Sequence, residues 1–134
     1  MTVLLSDQRT IQTAEDVVAI RQAVRHRAVE LGFNLVDQTK IVTAASELAR
    51  NTVQYGGGGT VTIESLEEFG RRGLRLTFAD NGPGIADVEL AMKDGYTTGG
   101  GLGLGLSGAR RLSNDFHIYS KPGEGTRVTI ARWR

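Results

Sequence analysis

Glu47 and Asn51 stand four residues apart in a stretch whose apolar residues have the spacing of a helix. Side chains four apart share one helix face, so this turn would present a carboxylate and an amide side by side. On an exposed face such a pair is an ordinary polar edge. Beside a ligand cleft it is a candidate reactive pair, and the turn by itself leaves both interpretations open.

A second carboxylate, that of Asp80, ends a strand predicted over residues 73–80. Three apolar residues of this strand alternate onto one face, namely Leu74, Leu76 and Phe78. Asp80 has the same parity, so the core-facing side of the strand ends in a carboxylate, which is costly unless it accepts a hydrogen bond. The donor is either a backbone amide or the amino group of a ligand. The turn Asn81–Ile85 follows directly, and its two glycines would let a flat ligand lie against the backbone.

A glycine-rich stretch from Gly95 to Gly108 is predicted to form a lid-like loop that enters a helix. Backbone N–H groups and the helix dipole favour phosphate at such a junction. The stretch is not a Walker loop, because no Gly-Lys-Ser/Thr follows its glycines. Its literal match to the dinucleotide pattern, at Gly103–Gly108, follows a loop instead of a strand, and the eukaryotic-type kinase motifs are missing. Together with Asp80, this stretch predicts that the Glu47–Asn51 turn faces a nucleoside triphosphate.

The composition of the chain limits the number of domains, the kinds of partner and the kinds of metal site that can be expected. The chain has 134 residues, of which 40% are hydrophobic and 23% charged, so a single globular domain over residues 1–134 is expected. A formal charge of +1 gives no reason to expect a nucleic-acid or membrane partner. The absence of cysteine excludes disulfides and thiolate zinc sites, and His26 and His117 are too far apart in the chain to suggest a metal pair. No apolar run approaches membrane-spanning length and no signal-peptide pattern is present, so a cytoplasmic location is expected.

The N-terminal half is predicted to supply a strand and two helices. An edge strand over residues 3–12 precedes a helix that a capping box of Thr13 and Asp16 opens, and this helix runs to about Leu31. Its polar face, expected to meet solvent or a docking partner, carries Arg21, Arg25 and Arg27. The second helix, which holds Glu47 and Asn51, is predicted to start at Asp37 as its N-cap. Val36 and Ile41 have the placement of a hydrophobic staple at that start.

The C-terminal half is predicted to be a strand-rich unit with short helices between the strands. A hairpin joins strands over residues 60–67 and 73–80, with Arg71 and Arg72 at its exposed tip. A short helix over residues 86–93 and a helix ending near Asn114 follow. The last strands, over residues 116–120 and 126–133, place the hydroxyl of Thr126 on the core side, close to Asp80 if the strands pair.

The motifs therefore occur in a definite order: Glu-x-x-x-Asn on a helix, Asp-x-Gly-x-Gly after a strand, and a Gly-x-Gly-x-Gly loop entering a helix. This order resembles the GHKL (Bergerat-fold) ATPase and kinase superfamily, which includes gyrase B, HSP90, the histidine kinase catalytic domains and the anti-sigma-factor serine/threonine kinases. Within the superfamily, the chain resembles the small switch kinases of the bacterial stressosome over nearly its whole length. The resemblance is strongest in three segments, Ser46–Asn51, Asp80–Ile85 and Gly100–Gly103. The resemblance implies an α+β fold, a two-layer α/β sandwich in which a mixed, mainly antiparallel sheet is covered on one face by helices.

The same resemblance implies roles for individual residues. Glu47 would be the general base, and Asn51 would supply an amide oxygen to Mg²⁺. Asp80 would accept a hydrogen bond from the adenine amino group of ATP, with Thr126 close by. Two glycines of the following turn would let adenine lie against it, Gly82 and Gly84. Backbone amides of the loop would close over the triphosphate at Thr97, Thr98, Gly99, Gly100, Gly101, Leu102, Gly103, Leu104 and Gly105.

Two features depart from the pattern of close relatives. Gly99 stands in the loop where a serine is expected, so the loop would have one hydroxyl fewer for phosphate. No basic residue lies within the glycine loop, so Mg²⁺ or a side chain reaching in must neutralise the γ-phosphate. Arg50 and Lys93 are the candidates for that side chain.

The resemblance implies a serine/threonine protein kinase of a bacterial partner-switching pathway. It would phosphorylate a STAS-domain substrate or scaffold protein and then bind and activate a downstream phosphatase or signalling protein. The alternative is a binding module that uses ATP only to set its affinity for a partner, as an anti-sigma factor would. A histidine kinase is disfavoured, because those enzymes usually place Asn where Glu47 stands.

Overall fold

The computed structural model describes residues 1–93 and 105–134. Along these residues lie five strands and four helices: β1 (Thr2–Ile11), α1 (Ala14–Glu30), α2 (Leu35–Gln54), β2 (Gly59–Glu68), β3 (Arg71–Asp80), α3 (Val88–Ala91), α4 (Gly105–Arg111), β4 (Asp115–Lys121) and β5 (Gly125–Trp133). The strands form one sheet in the order β1-β2-β3-β5-β4. Every neighbouring pair is antiparallel, which confirms the expected antiparallel character, but the sheet of the described strands is not mixed as expected, because none of its pairs is parallel.

One face of the sheet packs on α1 and α2 and forms the core. Alternate residues of β2, β3 and β5 point to this face and are buried: Val61, Ile63, Leu74, Leu76, Phe78, Val128 and Ile130. Intervening residues such as Thr62, Thr77 and Arg127 lie on the other face and keep partial or full contact with solvent. The period of two in these strands therefore fixes which side chains can meet a ligand held between the sheet and α2. No helix in the described parts of the chain is long and apolar enough to cross a membrane.

The start of α1 is as predicted. The Thr13 hydroxyl accepts the Asp16 N–H, and the Asp16 carboxylate accepts the Thr13 N–H at 3.1 Å and the Gln12 N–H at 2.8 Å. These contacts hold the pKa of Asp16 below its ordinary value, the Gln12 N–H contributing most.

The predicted start of α2 is wrong by one turn. Asn34, not Asp37, is the N-cap, and its side chain accepts the Asp37 N–H at 2.8 Å. Asp37 lies inside the first turn, where its carboxylate accepts hydrogen bonds of 2.7 and 3.1 Å from Arg132. Val36 is 61% exposed, so the expected staple with Ile41 does not form. Asn34 caps the helix as well as Asp37 would, and Arg132 binds the Asp37 carboxylate that was predicted to be the cap.

The predicted solvated arginine face of α1 also needs one correction. Arg21 and Arg25 are exposed, whereas Arg27 is only 9% exposed. The Arg27 guanidinium donates to Ser65 Oγ at 3.1 Å and to the Leu5 carbonyl at 3.4 Å. Arg27 is next to the fully buried Ala28 on the helix. Its guanidinium therefore connects α1 to β1 and β2 by hydrogen bonds instead of facing water.

Candidate functional site

A cavity of about 490 Å³ opens between α2, the ends of β3 and β5, and the segment from Pro83 to Ala91. This volume is in the range of sites that bind small molecules and cofactors. Its apolar wall contains Leu48, Phe78, Ile85, Leu106 and Val128. The cavity can therefore enclose a flat, largely apolar group such as a nucleobase.

Asp80 and Thr126, from neighbouring strands, line this cavity together. They are partners in the register of β3 and β5, as the shared parity predicted. Asp80 Oδ1 accepts the Gly82 N–H at 2.9 Å, so a backbone amide satisfies one carboxylate oxygen. The second oxygen, Oδ2, lies against Gly56, another cavity residue. A backbone amide thus satisfies Oδ1, and the alternative donor, the amino group of a ligand, stays a prediction for Oδ2.

Ser120 on β4 is a site residue that the sequence interpretation missed. Its Oγ accepts the Ile85 N–H at 2.8 Å and donates to the Gly125 carbonyl at 3.0 Å. A hydroxyl has a single proton, so the 2.8 Å contact between Ser120 and Thr126 is a hydrogen bond that Thr126 donates. This leaves Thr126 Oγ1 able to accept a further hydrogen bond. The signal was available, because pairing of the last two predicted strands across their turn puts Ser120 opposite Thr126.

Three glycines make room at the site. A Cβ at Gly56 would overlap the Asp80 carboxylate, and a Cβ at Gly82 would lie 2.8 Å from the Gly56 Cα. Gly84 has φ +77° and packs on the carbonyl of Lys121, so both its conformation and its contact exclude a larger residue. Close packing within the protein therefore requires glycine at positions 56, 82 and 84, while the expected approach of a flat ligand to Gly82 and Gly84 stays a prediction.

Glu47 and Asn51 occupy different parts of the site. Asn51 lines the cavity, and an alanine Cβ at Gly105 would lie 2.8 Å from its amide nitrogen. The Asn51 side chain makes no hydrogen bond to another described residue, so its amide oxygen is available to a ligand. Glu47 is not among the described residues that line the cavity. Its side chain is 27% exposed, and its carboxylate pairs with Arg50 at 3.0 Å.

Neither basic candidate for the γ-phosphate lines the described part of the cavity, since Arg50 is engaged with Glu47 and Lys93 is exposed. The predicted lid residues before Gly105 lie outside the described residues: Thr97, Thr98, Gly99, Gly100, Gly101, Leu102, Gly103 and Leu104. Gly105 itself begins α4 and borders the cavity. Asp80, Thr126 and Asn51 thus line one cavity, while their predicted ligand contacts and those of the loop stay predictions.

Comparison with known proteins agrees with this geometry. Residues 36–134 match the family described as histidine kinase-, DNA gyrase B-, and HSP90-like ATPase. The chain is 48% identical to serine/threonine-protein kinase RsbT of Bacillus subtilis over 123 residues, which cover 92% of each chain. It is 31% identical to the anti-sigma F factor of Anoxybacillus flavithermus over 119 residues, which cover 84% of this chain and 80% of that one.

Solved structures agree in fold. The RsbU and RsbW domains of a Mycobacterium tuberculosis protein superpose with a TM-score of 0.62 at 21% identity, covering 96% of this chain and 33% of that longer chain. The mycobacterial sensor histidine kinase MprB superposes with a TM-score of 0.57 at 16% identity, covering 96% of this chain and 97% of the other. At these identities the likeness supports the α+β fold alone, and that prediction is confirmed.

The predicted enzyme class is confirmed by the relative that is 48% identical, itself a serine/threonine-protein kinase. Use of ATP follows from the ATPase domain that most of the chain matches. The chain belongs to the family of histidine kinase-, DNA gyrase B- and HSP90-like ATPases.

Proposed function

We propose that this chain is a serine/threonine protein kinase of a bacterial partner-switching pathway, of the stressosome or general stress type. It transfers the γ-phosphate of ATP to a serine or threonine of a STAS-domain protein. It then binds and activates a downstream phosphatase or signalling protein. A single domain over residues 1–134 and a cytoplasmic location go with this proposal.

One observation carries the proposal. Asp80, Thr126 and Asn51, from three elements of the chain, border a single cavity, and Glu47 lies one helical turn before Asn51 on α2. A nucleobase held at Asp80 would direct its phosphates toward Asn51. The partly exposed Glu47 carboxylate would then meet a second substrate that approaches from solvent.

The adenine contacts follow from the hydrogen bonds already present. Asp80 Oδ1 is taken by the Gly82 N–H, so Oδ2 accepts the adenine amino group. Thr126 donates to Ser120, so its own oxygen accepts, directly or through water. Gly82 and Gly84 are proposed to let the ring lie against the turn, since glycine has no side chain to hold it off. These contacts favour adenine over bases that carry a carbonyl oxygen at the same ring position.

The phosphate end depends on an amide and a carboxylate. The Asn51 side-chain oxygen fits a hard divalent cation, because Mg²⁺ prefers oxygen ligands and Asn51 is not otherwise engaged by the described residues. Mg²⁺, when bound, supplies charge neutralisation at the phosphate oxygens. Glu47 takes the proton of the acceptor hydroxyl as that oxygen attacks the γ-phosphorus. Backbone amides from Thr97 to Gly105 are proposed to hold the triphosphate from the other side.

The nature of the acceptor is supported by the relatives. The protein kinase RsbT is 48% identical over 92% of the chain, and several anti-sigma F factors are 27% to 31% identical over 84% of it. The name of RsbT describes phosphoryl transfer to protein hydroxyls, and those of the anti-sigma factors describe control of a partner by binding. Both properties in one small ATP-binding chain favour a kinase that switches partners.

The deciding experiment mixes labelled ATP, the purified chain and a STAS-domain protein encoded beside its gene, followed by phosphosite mapping. Transfer to a serine or threonine is expected. Glu47→Gln should lose transfer by about 10²- to 10⁴-fold while it still binds ATP. Glu68→Gln is the matched control, since Glu68 lies at the opposite end of β2 from Gly59, the register partner of Asp80. Absence of transfer to any STAS-domain or other protein acceptor would refute the proposal.

The second candidate is an ATP-dependent binding module without phosphotransfer, which the anti-sigma F factor relatives favour. The same Glu47→Gln variant separates the two functions. If partner release depends on phosphorylation, the variant should hold its partner permanently. Normal ATP-controlled binding and release by the variant would favour the module.

A further inference from the structure

Arg50 makes two side-chain contacts within the Glu47 turn. Its guanidinium donates from Nη1 to Glu47 Oε1 at 3.0 Å and from Nη2 to Ser46 Oγ at 3.4 Å. Ser46 is buried, so the second contact anchors the guanidinium on the body of α2. Glu47 Oε2 makes no hydrogen bond with any residue in 1–93 or 105–134. One carboxylate oxygen is therefore fixed and the other is left for a proton.

Charge gives a second and independent reason to assign a role to Arg50. Among the three motif segments of the sequence, residues 46–51, 80–85 and 95–108, Arg50 is the only basic residue. The described cavity lining contains two carboxylates, Asp80 and Asp87, and neither lysine nor arginine. An ionised Glu47 next to a triphosphate is repelled by it, and a guanidinium 3.0 Å from the carboxylate offsets that repulsion.

We propose that Arg50 is a positioning residue for the phosphotransfer reaction, an inference that rests on the function proposed above. Arg50 fixes Oε1 of the Glu47 carboxylate, so that Oε2 is directed toward the acceptor hydroxyl. In the reaction the hydroxyl proton passes to Glu47 and the hydroxyl oxygen bonds to the γ-phosphorus. The bond from the γ-phosphorus to the bridging oxygen breaks, and its electron pair leaves on ADP.

This role predicts a specific division between kcat and KM. Arg50→Ala should lower kcat for transfer to the STAS-domain protein by about 10- to 100-fold. This loss is smaller than the one expected for Glu47→Gln, which removes the base itself. KM for ATP should stay within about threefold, because Arg50 does not line the part of the cavity assigned to adenine. Arg50→Lys keeps the charge but has a single donating nitrogen in place of the two that contact Glu47 and Ser46, so it should recover part of the lost kcat.

The control is Arg9→Ala, which breaks an ion pair of the same 3.0 Å length, between Arg9 and Asp7 on β1. β1 contributes no described residue to the cavity, so this variant should keep wild-type kcat. Both variants should have similar thermal midpoints, since exposed ion pairs contribute little to stability. The double variant Glu47→Gln/Arg50→Ala should be no slower than Glu47→Gln alone, because Arg50 acts through Glu47.

The outcomes separate this inference from the proposed function. If the wild type transfers phosphate and Arg50→Ala keeps its kcat, the positioning role is refuted and the kinase function stands. A further loss of kcat in the double variant beyond Glu47→Gln would also refute it. If the wild type transfers no phosphate to protein, the proposed function fails. The ATP hydrolysis rates of the wild type and Arg50→Ala then test the role of Arg50. A loss of hydrolysis in Arg50→Ala would support positioning of Glu47 toward water, and an unchanged rate would refute it.

Discussion

Replacing Asp80 by asparagine should change which nucleobase the cavity accepts. The Gly82 N–H donates to Asp80 Oδ1 at 2.9 Å, and an asparagine must keep its oxygen at that position to accept the same bond. The amide NH₂ then occupies the position of Oδ2, beside Gly56. A donor would face the adenine amino group, which is itself a donor.

The magnitude follows from the two consequences of this change. A hydrogen bond to a charged group contributes about 1.5–3 kcal/mol, and leaving donors unsatisfied in a closed site costs about 1–3 kcal/mol more. The Kd for ATP should therefore rise by at least about 50-fold. Inosine triphosphate carries a carbonyl oxygen where ATP carries the amino group, so the new NH₂ can donate to it. The ratio of the ITP Kd to the ATP Kd should fall by at least about tenfold.

Isothermal titration of wild type and variant with each nucleotide measures both quantities. Asp87→Asn is the matched control, since Asp87 also lines the cavity and caps α3 through a 3.0 Å bond from the Leu90 N–H. Asparagine caps helices as well as aspartate does, so this control should bind ATP like the wild type. Wild-type ATP affinity in Asp80→Asn, or equal losses for ATP and ITP, would refute the assignment of Asp80 to the adenine amino group.

Two further predictions test the steric fit and the stability of the fold. Gly56→Ala should weaken ATP binding by about tenfold or more, because its Cβ would lie 2.6 Å from Asp80 Oδ2 and displace the carboxylate, as titration would measure. Gly57→Asn is its control, since nothing lies within 4 Å of a Cβ there and asparagine tolerates φ +72°; an equal loss in the control would contradict the steric reasoning. Hydrogen bonds from the backbone N–H groups of Gln12 and of the N-cap residue Thr13 lower the pKa of Asp16 in the folded protein. Asp16 therefore stabilises the fold at pH values above its ordinary pKa of 3.8, and this stabilisation is lost as the pH falls through the lower folded pKa. Urea unfolding of wild type and Asp16→Asn should therefore differ at pH 7 and converge in acid, and a constant difference would contradict this.

The meeting of Asp80 and Thr126 in one cavity could be predicted from the sequence because it depends on strand parity. Asp80 and Thr126 each continue an alternating apolar face, and antiparallel pairing of two such faces brings their ends together. The same alternation on β4, paired with β5, places Ser120 opposite Thr126, so its position could also have been predicted. Gly56 could not be predicted in this way. Its role comes from the contact of a loop after α2 with the end of β3, which only the folded chain defines.

The errors at α2 and α1 have a common cause in long-range polar contacts. Asn34 and Asp37 are both good N-cap residues, and local propensity does not rank them. The contact that distinguishes them is between Asp37 and Arg132, 95 residues later in the chain. Arg27 was assigned to solvent because arginine is usually exposed, whereas a serine on β2 and a carbonyl on β1 satisfy it inside the fold.

The separation of Glu47 from Asn51 bears on the kind of acceptor. Four residues of helix advance about 6 Å and turn about 40° past a full circle, so the two side chains share a face without sharing a position. Asn51 accordingly lines the cavity, while the Glu47 side chain is 27% exposed and is not among the described cavity residues. If Glu47 is the base, as proposed above, ATP hydrolysis would require it to hold a water inside the closed site, whereas transfer to a protein would require it to be within reach of the acceptor hydroxyl. The partial exposure of Glu47 fits the proposed transfer to a protein.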